Sequence, residues 1–171
     1  MEQQEFALEC FKNTQELIRF VDQKSGAVLV VSGLILTVFL EISKALIFQF
    51  QPISWAGFLT FLFGTTTTLL LIYVIYISIF KILRPRLAKH YAATELSLLY
   101  FNHLAQVNDK SAMFMQFKKL DDDVILQNIT DQVFEISKIL DNKIIALHHS
   151  MNFLFYAVAS LLFFILTSRL I

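Results

Sequence analysis

The longest unbroken pattern of hydrophobic and polar positions lies between Asp121 and Thr167, a stretch without glycine or proline. Three aspartates at its start suit the unpaired N–H groups of a helix N-terminus. Apolar residues then recur at helical spacing: Ile125, Ile129, Val133, Ile136, Leu140, Ile144, Leu147 and Met151. From Phe153 to Leu166 the polar face disappears. The pattern predicts one helix of about 45 residues, about 70 Å long. A bilayer core takes up about 30 Å of that length, so the rest would extend into the cytoplasm as an amphipathic arm.

The N-terminal part of the chain shows the same change from an amphipathic to an apolar pattern. Residues 3–24 share one apolar helical face, formed by Phe6, Ala7, Cys10, Phe11, Thr14, Leu17, Ile18 and Val21. The acidic residues of this segment disfavour an anionic bilayer surface, so we expect it to pack against another cytoplasmic helix. Gly26–Leu40 is apolar, and flanking neutral residues extend it to a predicted span over 25–46. Because Glu2 and Glu5 stand where a signal peptide would be basic, we expect this span to be retained.

Ile53–Phe80 contains no charged residue and is long enough to cross a bilayer with some tilt. Small residues recur along one of its faces at i+4 spacing: Ala56, Thr60, Gly64 and Thr68. Small faces let membrane helices approach closely, either within one chain or between chains. The segment ends before Pro85, where a helix would kink or restart.

Basic residues are concentrated before the first span and after the second. Residues 1–25 contain three of them, residues 81–143 contain Lys81, Arg84, Arg86, Lys89, Lys110, Lys118, Lys119, Lys138 and Lys143, and the other connecting segments hold only Lys44 and Arg169. The positive-inside rule therefore predicts a cytoplasmic N-terminus and central region and a periplasmic C-terminus. The three spans would be 25–46, 53–80 and 148–168.

The central region between the second and third spans shows weaker helical patterns. Apolar positions between Leu87 and Ala105 predict a second cytoplasmic amphipathic helix. Asn108–Ser111 is typical of a turn, and Met113–Leu120 is ambiguous, with a short helix as one possibility. We therefore predict an all-α membrane protein with three transmembrane helices and a cytoplasmic helical bundle formed by their extensions. Its parts would be a cytoplasmic helix at 1–24, two spans at 25–80, a cytoplasmic region at 81–147, and a third span with the tail at 148–171.

The composition is typical of a membrane protein, and the sequence contains no motif of a known type of active site. Hydrophobic residues make up 56% of the chain, and the mean hydropathy is +0.61. Lys+Arg and Asp+Glu both number 14, so net charge gives no reason to expect a nucleic-acid polymer as partner. No nucleophile motif, phosphate loop or metal-ligand spacing is present, and adjacent His148 and His149 point about 100° apart on a helix. We expect neither catalysis, nor a metal, nor a cofactor.

One recurring triplet precedes the first and third spans. Asp22-Gln23-Lys24 and Asp141-Asn142-Lys143 each carry a carboxylate and an ammonium two residues apart, which do not face each other on a helix. If the two helices are adjacent, Asp22 could pair with Lys143 and Asp141 with Lys24. In one interpretation these charges simply lie at the membrane–water interface. In the other, the two ion pairs form a clasp between the helices at the cytoplasmic end of the spans. An exposed pair would be worth about 0–1 kcal/mol, weak enough for an anionic ligand to open.

These residues also carry a family resemblance that extends over essentially the whole chain. The segment Arg19–Gly26, the Arg84-Pro85-Arg86 end of the second span, and Phe134–Ile145 leading into the third resemble the transmembrane effectors of Pycsar anti-phage systems. The resemblance implies that a partner cyclase senses infection and makes a cyclic pyrimidine mononucleotide, cCMP or cUMP. The effector would then impair the inner membrane and cause abortive infection. Some effectors of these systems carry a cyclic-nucleotide-binding barrel, but this chain has no β-rich stretch to build one.

A cyclic mononucleotide carries one negative charge and a planar base, so its contacts would be cations and an aromatic surface. The candidate ligand residues are Lys24, Arg84, Arg86, Lys89, Tyr91 and Lys143. Positive-inside anchoring is the competing explanation for Arg84, Arg86 and Lys89. The expected partners are the lipid bilayer, the nucleotide from the cyclase and further copies of the chain. A non-enzymatic membrane scaffold and a constitutive small channel are the alternative functions.

Overall fold

The structure of the protein, a computed structural model, describes residues 2–47, 54–85, 109–118 and 120–170. Within these ranges every element is a helix: α1 (Glu2–Ile47), α2 (Trp55–Tyr76), which continues as a π-helix over Ile77–Leu83, α3 (Lys110–Lys118) and α4 (Asp122–Ser168). Helices α1, α2 with its π-helical extension, and α4 are long and apolar enough to cross a membrane. The predicted all-α fold with three membrane helices is therefore confirmed, and the chain is a multi-pass membrane protein.

Helix α1 is continuous through the position where the pattern changes from amphipathic to apolar. Its 46 residues include Gly26 and Gly33, and neither interrupts it. Near its C-terminal end Lys44 Nζ lies 2.8 Å from Glu41 Oε2, one turn apart on an exposed surface. This pairing lets two charges lie next to an apolar span at little cost.

Helix α4 has 47 residues and lies within one residue, at each end, of the helix that the sequence predicts. Asp121 directly precedes it: the carboxylate accepts a hydrogen bond from the Asp122 N–H at 2.8 Å, and the Asp121 carbonyl accepts one from the Ile125 N–H at 3.0 Å. Acidic residues in the first turn also complement the positive end of the helix dipole.

Helix α2 starts at a side-chain cap and ends before a proline. The Ser54 hydroxyl accepts a hydrogen bond from the Gly57 N–H at 3.0 Å. At the other end the Arg84 N–H donates to the Ile79 carbonyl at 3.0 Å, an i→i−5 bond of the π type. Arg84 itself is extended, with ψ 126°, as the residue before Pro85 prefers.

The central region is described only in part. Helix α3 already begins at Lys110, so Lys110 and Ser111 are helical rather than part of the predicted turn. Asp109 precedes α3, and its carboxylate accepts a hydrogen bond from the Ser111 N–H at 2.9 Å. The predicted helix over 87–105 lies outside the described residues.

The chain forms two compact units. The membrane unit comprises residues 21–85 and 143–171, and the second unit comprises residues 1–20 and 86–142. In the second unit the Gln4 amide donates to the Asp122 carbonyl at 2.9 Å, and Lys138 Nζ lies 4.0 Å from the centre of the Phe134 ring. Ile129, Gln132 and Glu135 are buried there.

Three helical segments pack side by side in the membrane unit. Asp22 contacts Lys143 at one end, and Phe39 contacts Phe164 at the other, so α1 and α4 run parallel. Helix α2 runs antiparallel to both, because Ser78 of its C-terminal π-helix contacts Ser150 while Thr67 contacts Ser160, farther along α4.

Buried positions in the membrane unit recur every seven residues. They are Ser25, Ser32 and Phe39 on α1, Gly57, Gly64, Leu71 and Ser78 on α2 and its π-helical end, and Lys143, Ser150, Ala157 and Phe164 on α4. A seven-residue repeat keeps one face of each helix directed at its neighbours, as in a left-handed coiled coil. The opposite faces expose large apolar side chains such as Leu34, Leu62 and Leu162, which suits contact with lipid.

Candidate functional site

The candidate site begins with an ion pair between α1 and α4. Lys143 Nζ lies 2.5 Å from Asp22 Oδ1. The Lys143 side chain is only 7% exposed, whereas that of Asp22 is 35% exposed. The energy of 0–1 kcal/mol for an exposed pair therefore does not apply. An ammonium that is buried this deeply depends on its carboxylate, and removing the partner of a buried ion costs about 3–5 kcal/mol.

The second predicted pair, Asp141 with Lys24, stays a prediction. Both residues are exposed. A functional clasp formed by the two triplets is likewise a prediction, although the Asp22–Lys143 contact gives it a physical basis.

Hydroxyl groups follow the ion pair along the helices. Ser78 Oγ and Ser150 Oγ lie 3.2 Å apart, and both side chains are fully buried. Farther along, Thr67 donates to Ser160 at 3.0 Å, and Ser160 in turn donates to the Phe63 carbonyl at 3.1 Å. Such bonds join α2, with its π-helical end, to α4 where the surrounding lipid offers no competing partner.

An aromatic pair lies at the end of the membrane unit away from Asp22. The rings of Phe39 and Phe164 have centroids 5.0 Å apart in an edge-on arrangement, and both are buried. Gly64 lies directly beneath the Phe164 ring. Beside these residues is a cleft of about 500 Å³, also lined by Thr60, Thr68 and Leu69.

The predicted small face of α2 is thus engaged within the chain at Gly64. Thr60 is also buried, whereas Thr68 is partly exposed and lines the cleft. Ala56 is partly exposed near the start of the helix. Of the two interpretations of this face, contact within one chain accounts for Gly64, and contact between chains stays a prediction.

The candidate ligand residues differ in their accessibility. Lys24 and Arg84 are exposed, and both lie toward the Asp22–Lys143 end of the membrane unit. Lys143 is buried and already contacts a carboxylate, so an anion would compete with Asp22 for it. Arg86, Lys89 and Tyr91 lie outside the described residues.

The described residues contain no group of three or more His, Cys, Asp or Glu side chains that could hold a metal ion. His148 and His149 are exposed, as expected for a solvated pair. What the site provides is a buried cation, a carboxylate and a row of hydroxyls. These groups can bind water or an anion.

Sequence reasoning missed the hydroxyl contacts between α2, with its π-helical end, and α4. Ser78, Ser150, Thr67 and Ser160 are isolated polar residues in apolar runs, and nothing in a span requires any one of them to face a neighbour. The seven-residue spacing of Ser25, Ser32 and Phe39, and of Lys143, Ser150, Ala157 and Phe164, is the signal that could have found the buried faces.

Comparison with known proteins identifies one family. A family model described as the Pycsar effector protein domain matches residues 6–169. The match covers both units and nearly the full length of α1 and α4. No curated protein sequence and no solved structure matches this chain.

Proposed function

Because the chain belongs to the Pycsar effector family, we propose that a cyclic pyrimidine mononucleotide activates it and that it then impairs the inner membrane. The family assignment supports a role as an anti-phage defence effector. Cyclic CMP or cyclic UMP from a partner cyclase would be the signal, and arrest of the infected cell would be the outcome. The protein would act without catalysis and without a cofactor other than this ligand.

The observation that carries the proposal is the buried Lys143–Asp22 pair at one end of the membrane unit. This ammonium is held by one carboxylate, and a phosphate diester that took the place of the carboxylate would give the site a second state. The exchange shifts the equilibrium between closed and active forms only as far as the ligand prefers the active form. Exposed Lys24 and Arg84 would attract the anion toward this end.

We infer an inner-membrane location with a cytoplasmic N-terminus and a periplasmic C-terminus. The excess of lysine and arginine before the first span and after the second supports this orientation. The nucleotide would then be made on the side of the membrane where the ion pair lies. Several copies would assemble in the active state.

Dye release from vesicles tests the proposal directly. The purified protein is reconstituted with an impermeant dye inside and receives cyclic CMP, cyclic UMP, cyclic AMP or buffer. Release with one pyrimidine nucleotide alone is the expected result. Release in every condition would instead indicate a constitutive channel. No release in vesicles and no damage in cells making the nucleotide would favour the scaffold.

Charge-neutralised variants sharpen this test. Lys24→Gln and Arg84→Gln should each raise the nucleotide concentration needed for half-maximal release. Lys44→Gln is the matched control, since Lys44 is also exposed next to a span but pairs with Glu41 at the opposite end. Equal effects of all three changes would show that Lys24 and Arg84 have no specific role in binding the ligand.

A further inference from the structure

The membrane unit buries several hydroxyls along its length that the proposed function does not use. We call this set the hydroxyl seam; its members are Ser25, Ser32, Thr67, Ser78, Ser150 and Ser160. The first five have no exposed surface, and Ser160 is 8% exposed. All of them belong to the membrane unit.

Most members of the seam satisfy their hydrogen-bonding groups in the closed structure. Ser78 pairs with Ser150, and Thr67 pairs with Ser160. Ser32 donates to the carbonyl of Val28 on its own helix at 2.7 Å. The two interhelical pairs join α2, with its π-helical end, to α4, and each hydroxyl oxygen can also accept a hydrogen bond from water.

Ser25 is the exception. Its Oγ is buried and has no hydrogen-bond partner among the described residues. A buried hydroxyl without a hydrogen bond is unfavourable, so this position favours a polar partner. Ser25 follows Asp22 by one helical turn on α1, which places it directly beyond the ion pair. The simplest partner for such a group is water.

Two different contacts lie at the ends of the seam. The Asp22–Lys143 pair lies at the end where the unpaired Ser25 is found. The Phe39–Phe164 pair lies at the other end, one heptad beyond Ser32 on α1. Between them the buried face of α1 carries serines, whereas its outward face carries Val30 and Leu34, each more than 60% exposed.

We propose that the hydroxyl seam is the path that water and small hydrated ions take across the membrane in the active protein. Separation of the helices exchanges the hydroxyl pairs for hydroxyl–water contacts, which are nearly as favourable. Opening of the ion pair admits water at one end, and displacement of the aromatic pair admits it at the other. This inference rests on the proposed function, since activation must breach the membrane, and it adds the route within the protein.

Thiol accessibility at two neighbouring positions tests the route. In a Cys10→Ala background, Ser32→Cys places a thiol on the seam and Leu34→Cys places one on the lipid face at the same depth. The protein is reconstituted in vesicles and exposed to a charged, membrane-impermeant methanethiosulfonate reagent. Upon activation, we expect the Ser32→Cys thiol to react about tenfold faster, the change that a population shift of about 1.4 kcal/mol produces. The Leu34→Cys thiol should stay unreactive throughout.

Two triggers separate this inference from the proposed function. One is cyclic CMP or cyclic UMP; the other is Asp22→Lys, which opposes Lys143 with a like charge, with Asp22→Asn as a milder second variant. Reaction of the seam thiol after Asp22 substitution but not with nucleotide would support the seam while overturning nucleotide activation. Nucleotide-dependent leakage without reaction at Ser32→Cys would overturn the seam and leave the proposed function standing.

Two further outcomes would overturn the seam. Leakage with reaction at both thiols would mean general lipid disorder and would overturn the seam. Helical variants, verified by circular dichroism, that neither leak nor react with any trigger would overturn it as well. Only selective reaction at the seam position supports the proposal.

Discussion

Gly64 and Phe164 approach so closely that a Cβ on Gly64 would lie 3.1 Å from Cε2 of the ring. The same Cβ would lie 3.7 Å from Cζ of Phe39. This glycine therefore lets α2 meet α4 at the aromatic end of the membrane unit. Glycines of the membrane unit do not all mark such a close approach, since a Cβ at Gly33 would meet nothing within 4 Å.

Gly64→Leu should loosen the aromatic end. Side-chain atoms beyond Cβ have to displace the Phe164 ring, and overpacking of this kind costs about 1–3 kcal/mol. We expect a lower thermal midpoint in detergent and half-maximal dye release at a lower nucleotide concentration. Gly64→Ala should be milder, because a shift of the ring by a few tenths of an ångström accommodates it. Gly33→Leu is the control, and an equal effect of the Gly33 and Gly64 changes would contradict the argument.

The Asp22–Lys143 pair should respond asymmetrically to truncation. Asp22→Ala leaves a buried ammonium without its carboxylate, so it should destabilise by up to about 3–5 kcal/mol, reduced because Asp22 is partly exposed. Lys143→Met keeps the side-chain length and removes the buried charge, so its cost should be smaller. The double variant should recover part of the loss from Asp22→Ala. Denaturant unfolding followed by circular dichroism measures all three, and additive losses would show that the pair is not coupled.

The Ser78–Ser150 hydrogen bond should contribute modestly. Interhelical bonds in membranes average about 0.6 kcal/mol and reach about 1.7 kcal/mol in double-mutant cycles. A cycle of Ser78→Ala and Ser150→Ala should give a coupling energy within that range. Thr65→Ala is a suitable control, since Thr65 is exposed and bonds only the Phe61 carbonyl of its own helix among the described contacts. A coupling energy of zero would mean that the two hydroxyls are merely neighbours.

Phe164→Ala should open the aromatic end without touching the ion pair. Removing a buried phenylalanine costs about 3–5 kcal/mol, and the loss here falls on the contacts with Phe39 and Gly64. We expect dye release to reach half its maximum at a lower nucleotide concentration, whereas Phe155→Ala should leave that concentration unchanged because Phe155 is 70% exposed. An unchanged nucleotide requirement with both variants would show that the Phe39–Phe164 pair does not close this end.

The sequence pattern was sufficient for the helices and insufficient for their contacts. The absence of glycine and proline between Asp121 and Thr167 fixes a long helix, and the loss of its polar face marks the membrane part. The likeness of the two charged triplets suggested Asp22 and Lys143 as neighbours, but not that Lys143 is buried. A residue is buried when a neighbouring helix covers its face. Because a membrane span is apolar on all faces, its sequence does not show which face meets a neighbour and which meets lipid. Ser78 and Ser150 could not be paired for the same reason.

The seven-residue repeat also restricts which insertions α1 can accept. One residue inserted between Ala27 and Val28, within the membrane unit, would leave the helix unbroken, yet it would turn the part that follows by about 100° relative to the part that precedes it. If the part that carries Asp22 kept its position, Ser32 would leave the buried face and Leu34 would approach it. Seven inserted residues would nearly restore the phase, because a heptad differs from two full turns by only about 20°. The protein should therefore accept lengthening in whole heptads more readily than the addition of a single residue.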